Sequence, residues 1–179
     1  MIRLFVGLDL PERTRATLSG LAIGIPGAHW VPEENLHLTL RFIGEVDEDE
    51  ANDLHDALSA VRAPAFTLEI AGTGVFETAR KPHTLWASVA KSDPLVRLQG
   101  KVESALVRAG LKREERKFKP HITLARLKGT APERLHPVLA AQALLREEMP
   151  VDHFTLFSSR LGSGDPVYTA EAEYALGAG

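Results

Sequence analysis

Two short segments of the chain each place a threonine two residues after a histidine. His37-Leu-Thr-Leu40 and His121-Ile-Thr-Leu124 match in residue type at every position, and their histidines lie 84 positions apart, about half of the chain. Near neutral pH a neutral imidazole accepts a proton and a protonated imidazole donates one, because the ordinary pKa of histidine is about 6.5. Two such rings could therefore serve as base and acid on opposite sides of one reacting centre.

The alternation of apolar and polar residues in both segments is typical of a half-buried β-strand. In such a strand His37, Thr39 and Arg41 share one face, and the leucines between them share the other. His121 and Thr123 share a face in the second strand. Threonine hydroxyls can donate hydrogen bonds to non-bridging phosphoryl oxygens, where charge develops. The pattern predicts phosphodiester chemistry with two catalytic histidines and two threonines that hold the phosphate.

Composition excludes several other chemistries. The 179 residues include no cysteine, so a thiol nucleophile, a disulfide framework and a cysteine-ligated metal are impossible. No Gly-x-Ser-x-Gly or Gly-x-x-x-x-Gly-Lys motif occurs, and the His-x-Thr spacing offers no third zinc ligand. We expect neither a metal nor a cofactor. The net charge of −3 means that any anionic substrate must be bound by a local patch.

The elements that must position these residues alternate between strands and helices. Strands are predicted over 4–10, 36–43, 66–76, 85–90, 121–125, 151–160 and 167–176, and helices over 11–23, 47–61, 93–109 and 131–146. Asp47 is expected to cap the second helix together with Glu50. No apolar run approaches the roughly 20 residues of a membrane span, and the start does not read as a signal peptide. We therefore expect a cytoplasmic protein.

The segments around the two motifs resemble a known family. They are Arg3–Pro11, Trp30–Pro32, Asn35–Val46, Phe118–Arg126 and the late Tyr168. Together they are similar to the two-histidine phosphoesterase superfamily, and within it to the RNA 2′,3′-cyclic phosphodiesterases of bacteria and archaea, also called 2′-5′ RNA ligase-like proteins. The resemblance covers essentially the whole chain. It implies an α+β, bilobal fold over residues 1–179, with two pseudo-symmetric antiparallel sheets flanked by helices around a central cleft.

The resemblance also implies a reaction. A 2′,3′-cyclic phosphate at the 3′ end of RNA is opened to a 2′-phosphomonoester without metal or nucleotide cofactor, and some relatives run the chemistry backwards to join RNA ends. By resemblance, His37 donates a proton to the leaving 3′ oxygen and His121 activates water. The sequence alone does not distinguish these roles, because the two motifs are nearly identical.

Two arginines are further candidates for substrate binding through a charged guanidinium. Arg126 matches a position that the family often uses near the phosphate. Strict alternation places it on the face opposite His121, so it reaches the cleft only if the strand ends or twists near Ala125. Arg41 has the parity of His37 and is expected at the rim of the cleft, with a surface or inter-lobe salt bridge as the alternative.

A basic segment precedes the second motif. Residues 112–119 hold five basic and two acidic side chains, which predicts contacts with RNA phosphates, with a solvated loop as the alternative. Candidates for base stacking are Phe76, Trp86, Phe118 and Tyr168. The expected partner is RNA ending in a cyclic phosphate or a small cyclic nucleotide, and a monomer is expected. The alternatives are a two-histidine enzyme acting on a small cyclic nucleotide or 2′-5′ oligoadenylate, and a non-catalytic RNA-binding module.

Overall fold

A computed structural model describes residues 1–177, which form nine β-strands, four α-helices and one short 3₁₀ helix. The strands are β1 (Ile2–Asp9), β2 (Ala28–Trp30), β3 (His37–Val46), β4 (Phe66–Thr78), β5 (Lys81–Val89), β6 (His121–Leu127), β7 (Arg146–Val151), β8 (His153–Arg160) and β9 (Val167–Ala175). The helices are α1 (Glu12–Ser19), α2 (Glu48–Ser59), α3 (Asp93–Arg108) and α4 (Pro132–Gln142), and the 3₁₀ helix is Glu33–Asn35.

The strands pair antiparallel in two halves that meet at a single point. The order across the sheet is β7-β4-β5-β6-β3-β1-β8-β9, and β2 adds to β6. One half, the first lobe, contains β3, β1, β8 and β9, and the other, the second lobe, contains β6, β5, β4 and β7. β3 and β6 pair only through Leu38 and Ile122, both fully buried. The predicted α+β fold with two antiparallel sheets is confirmed, and this one pairing joins the sheets edge to edge.

Helix ends follow local chemistry where the sequence carries it. Asp47 accepts a hydrogen bond from the Glu50 amide, and the Glu50 carboxylate accepts one from the Asp47 amide, so the predicted capping box is confirmed. α1 ends at Ser19, earlier than predicted, with Gly20 as its C-cap residue. α4 stops at Gln142 rather than near 146, since the chain from Arg146 enters a strand.

Two strands, β2 and β7, were not predicted from the sequence. β7 carries Pro150 and three charged residues, but it is an edge strand, where proline and charge are tolerated. β2 has only three residues and extends the sheet along β6. One continuous hydrophobic core underlies both lobes, and it includes residues from β1, β3, β6 and α3. Among residues 1–177, no helix combines the length and apolar character needed to cross a membrane.

Candidate active site

The two motifs meet at a cavity of about 230 Å³ where the lobes join. The structure brings five of the six sequence-predicted site residues into its lining, namely His37, Thr39, His121, Thr123 and Arg126. The remaining lining residues are His29, Val31, Pro32, Asn35, Phe42, Asp165, Pro166 and Tyr168.

The single pairing between β3 and β6 sets the relative positions of the two motifs. Leu38 lies opposite Ile122 and both point into the core. Because the strands are antiparallel, the same register sets His37 beside Thr123 and Thr39 beside His121. All four side chains line the same cavity. The arrangement is approximately two-fold, with the core pair on its axis.

Both imidazoles are oriented by a backbone carbonyl two residues earlier. Nδ1 of His37 lies 2.7 Å from the Asn35 carbonyl oxygen, and Nδ1 of His121 lies 2.6 Å from that of Lys119. A carbonyl only accepts, so each Nδ1 carries a proton and donates it. Nε2 is then the atom of each ring left to exchange protons. In His37 it lies 2.8 Å from the Thr39 hydroxyl.

His37 stands among aromatic rings of the first lobe. Its ring centroid lies 4.9 Å from that of Phe5 and 5.4 Å from that of Tyr168, which meets it edge on. Burial lowers the pKa of His37 below its ordinary value, and the charge of His121 lowers it further, while the hydrogen bond to the Asn35 carbonyl opposes both. Neutral His37 is therefore favoured.

His121 rests on a corresponding pair of rings in the second lobe. The Phe76 ring meets it edge on at 4.9 Å, and the Trp86 ring lies 6.4 Å away. Trp86 in turn covers Gly74, where a Cβ atom would come within 2.3 Å of the indole. Phe76 and Trp86, two candidates for base stacking, thus support the histidine.

A β-bulge brings Arg126 to the cavity. Leu85 pairs with Ala125 but the next pair is Trp86 with Thr123, so Leu124 has no partner on β5. The extra residue reverses the alternation, and Leu124 and Ala125 are consecutive buried residues. Arg126 therefore returns to the face of the cavity. Its guanidinium has no carboxylate within 4.0 Å among the described residues.

A corresponding bulge in β3 turns Arg41 away from the cavity. The prediction that Arg41 lies at the rim of the cavity beside His37 is therefore wrong. Val6 pairs with Arg41 while Gly7 pairs with Thr39, so a bulge at Leu40 reverses the parity that strict alternation assumes. Arg41 is buried, with 9% of its surface exposed.

Each nitrogen of the Arg41 guanidinium donates a hydrogen bond within the protein. Its Nε lies 2.6 Å from a carboxylate oxygen of Glu103, and it also donates to the carbonyls of Phe42 and Lys112. The other oxygen of Glu103 accepts the amide of Glu114 at 2.9 Å. Arg41 and Glu103 therefore tie the basic segment 112–119 to β3 and α3. A salt bridge, the kind of role considered as the alternative for Arg41, is what the structure shows, and it is buried rather than on the surface.

The bulge at Leu40 brings Phe42 to the cavity in place of Arg41. Phe42 and Arg126 each stand five residues after their histidine, so the two positions are equivalent in the two lobes. Phe42 is 54% exposed, which is unusual for a large apolar side chain. Sequence reasoning missed Phe42 because strict alternation places this position on the core face. The bulge, which was not predicted, turns it to the cavity face instead.

One end of the cavity is closed by the connection between β8 and β9. Nε2 of His29 lies 2.8 Å from a carboxylate oxygen of Asp165, and the Asn35 side-chain amide donates to the Pro166 carbonyl at 2.9 Å. Tyr168 completes this wall. Burial raises the pKa of the Tyr168 phenol, an effect that the charge of Arg126 opposes. The phenol is therefore protonated at neutral pH.

The residues that could ligate a metal lie elsewhere. Within residues 1–177, one group of His, Asp and Glu side chains has its ligand atoms within 4.8 Å of one another, and it comprises Asp9, His153 and Glu173. None of them lines the cavity. His153 is already held between Asp9 and Asp152 at 2.5 Å each.

Several known proteins are similar to this chain in sequence or structure over nearly its full length. The RNA 2′,3′-cyclic phosphodiesterase of Thermus thermophilus is 37% identical over 187 residues, covering 98% of this chain and 90% of the relative. The protein of the same name from Thermotoga maritima is 34% identical over 173 residues, covering 93% and 91%. A crystal structure of Escherichia coli LigT complexed with 3′-AMP matches with a TM-score of 0.79 at 28% identity and covers 98% of both chains.

The family model described as the 2′-5′ RNA ligase superfamily matches residues 12–162, a range that includes both His-x-Thr motifs and both bulged strands. The matched range and the full-length relatives agree with the resemblance of the motifs. The chain belongs to the 2′-5′ RNA ligase superfamily.

Proposed function

We propose that the protein hydrolyses the 2′,3′-cyclic phosphate at the 3′ end of RNA to a 2′-phosphomonoester by acid–base catalysis with His37 and His121. The observation that carries this proposal is the pair of imidazoles that line one cavity with Nδ1 bound to a carbonyl and Nε2 left for proton transfer. The relatives named RNA 2′,3′-cyclic phosphodiesterase support the substrate.

The reaction needs one base and one acid on opposite sides of the phosphorus. Nε2 of His121 takes a proton from water while the water oxygen bonds to phosphorus. The bond from phosphorus to the 3′ oxygen breaks, and Nε2 of His37 gives its proton to that oxygen. The ribose keeps the phosphate on its 2′ oxygen, and one water has been added. When an RNA hydroxyl attacks the cyclic phosphate in place of water, the same displacement of the 3′ oxygen leaves a 2′-5′ linkage.

His37 must hold a proton to act as the acid. Burial and His121 favour its neutral form. A phosphodiester anion bound between the rings offsets both effects, because a nearby negative charge raises the pKa of an imidazole. Binding of the substrate is therefore coupled to protonation of His37. The activity measured on the acidic side of the pH profile should depend on this coupling.

The other lining residues hold the phosphate and the ribose. The hydroxyls of Thr39 and Thr123 line the cavity with the two histidines and donate to the non-bridging oxygens. The free guanidinium of Arg126 adds a charged donor, worth more than a neutral hydrogen bond. Arg41 is assigned a structural role through Glu103 rather than a contact with substrate.

The two lobes contribute one histidine each, so we propose that residues 1–179 act as one catalytic domain. A cytoplasmic location and a monomeric state remain predictions from the sequence. Catalysis without a metal is part of the proposal, and it is tested by activity after chelator treatment.

The test is hydrolysis of an RNA oligonucleotide ending in a 2′,3′-cyclic phosphate, measured with EDTA-treated protein. His37→Gln and His121→Gln should each lower kcat by about 10²–10⁴-fold, the usual contribution of a general acid or base. His136→Gln, which replaces an exposed histidine on α4, is the matched control and should keep full activity. Full activity in either cavity variant, or loss of wild-type activity on chelation, would contradict the proposal.

A further inference from the structure

The catalytic cavity continues into a second cavity of about 240 Å³. The two share Thr39, Phe42 and His121 in their linings, so a bound chain can pass from one to the other beside Phe42. The second cavity extends along segment 112–119, which Arg41 and Glu103 hold in place. It is thus an ordered continuation of the site.

The second cavity combines aromatic rings with unneutralised cations. Phe76 and Phe118 line it, and so do the exposed side chains of Lys117 and Lys119. Among the described residues neither lysine has a carboxylate within 4.0 Å of its ammonium. Aromatic rings beside lysines are the usual means of binding single-stranded nucleic acid, since every base can stack and every linkage is anionic.

Acidic groups do not cancel this positive charge. The carboxylate in the second lining, Glu114, bonds to Arg116 at 3.0 Å. The end of the catalytic cavity near the β8–β9 connection differs, because it is closed by the His29–Asp165 pair. An RNA backbone leaving the catalytic cavity is therefore blocked at the closed end and attracted at the end near Lys117.

We propose that the second cavity is a binding subsite for the nucleotide immediately 5′ of the terminal one, with its base against Phe118 and its phosphate near Lys117. This proposal rests on the proposed function, because a terminal cyclic phosphate between the histidines leaves the 5′ oxygen as the only attachment of the remaining RNA. The subsite makes the substrate an RNA chain of at least two nucleotides rather than a free cyclic nucleotide.

The test compares kcat/KM for a 2′,3′-cyclic mononucleotide with that for a dinucleotide ending in the same cyclic phosphate. Wild-type protein should prefer the dinucleotide by about tenfold or more, the order expected for one stacked base. Phe118→Ala and Lys117→Ala should each reduce the preference several-fold, and Lys117→Ala, which removes an exposed side chain, should leave the mononucleotide rate unchanged. The Lys117 effect should weaken as salt concentration rises.

Matched variants separate the subsite from general effects. Lys117→Arg should keep the preference, and so should Lys101→Ala, which lies in a separate groove between α2 and α3. Lys117 is exposed, so its variant tests the subsite even where Phe118→Ala fails to fold. Equal kcat/KM for both substrates in wild type, or equal losses on both in the variants, would overturn the subsite while leaving the proposed function intact. No hydrolysis of either substrate would overturn the proposed function itself, and the subsite with it.

Discussion

Arg41 and Arg126 provide a sharp test of the structure. Strict alternation of side chains would place Arg41 on the face of the cavity, whereas the bulges in β3 and β6 place Arg126 there instead. Arg41→Gln removes the partner of Glu103, whose side chain is 16% exposed. Breaking a buried ion pair by removing one partner costs about 3–5 kcal/mol. Glu103 keeps the hydrogen bond from the Glu114 amide, so we expect a loss near the lower limit, about 3 kcal/mol.

The assay is urea denaturation, with kinetics on a cyclic mononucleotide at a temperature where every variant is folded. Arg41→Gln should destabilise, and any loss of activity should fall on kcat, because segment 112–119 leads to the Lys119 carbonyl that orients His121. Arg126→Gln should change the free energy of unfolding by less than about 0.5 kcal/mol. It should instead lower kcat/KM by about tenfold or more, as expected for a lost charge-assisted hydrogen bond.

A double-mutant cycle supplies the control. Arg41→Gln combined with Glu103→Gln leaves no buried charge, so the double variant should lose less stability than the two single losses added together. The reasoning is refuted if Arg41→Gln unfolds like wild type and raises KM, because Arg41 would then act on the substrate as its sequence parity suggests.

Three further results are expected. Gly7→Ala places a Cβ 2.8 Å from the backbone oxygen of Leu38, so urea denaturation should show a free energy of unfolding lower by about 1–3 kcal/mol, and kcat should also fall. The control Gly100→Ala has open space around its Cβ and should raise the free energy of unfolding by up to about 1 kcal/mol. Because burial lowers the pKa of His37, the histidine is protonated at a higher pH in the unfolded chain than in the folded protein. The free energy of unfolding should therefore decrease below about pH 6.5, and His37→Gln should remove that decrease. Asp47→Ala should cost about 0.5–2 kcal/mol through loss of the helix cap, which thermal unfolding would detect as a lower Tm.

Features decided by neighbouring residues were predictable from the sequence. The cap on α2 depends on Asp47 and Glu50, which are three residues apart. The end of α3 at Arg108 lies just before Gly110 in the sequence. The two His-x-Thr motifs were also visible, because their pairing needs only residue types and spacing. Their meeting at one cavity follows from the approximate repeat of strand, helix and strand in the two halves.

Features decided by distant strands were not predictable. Whether Arg41 or Phe42 faces the cavity depends on how β1 pairs with β3, and nothing near Leu40 in the sequence marks the bulge. β7 reads as a charged segment with a proline, and only its pairing with β4 makes it a strand. The carbonyls that orient the two imidazoles belong to the backbone, so no side-chain pattern reveals them.

The most direct test of the account is the identity of the phosphomonoester product. RNA ending in a 2′,3′-cyclic phosphate is incubated with the EDTA-treated protein, and the product is assigned by ³¹P NMR and by its sensitivity to a phosphatase specific for 3′ phosphates. We predict a 2′-phosphate, resistant to that phosphatase, because the 3′ oxygen leaves with the proton from His37. A 3′-phosphate would contradict the assigned leaving group, and an unchanged cyclic phosphate would contradict the proposed function.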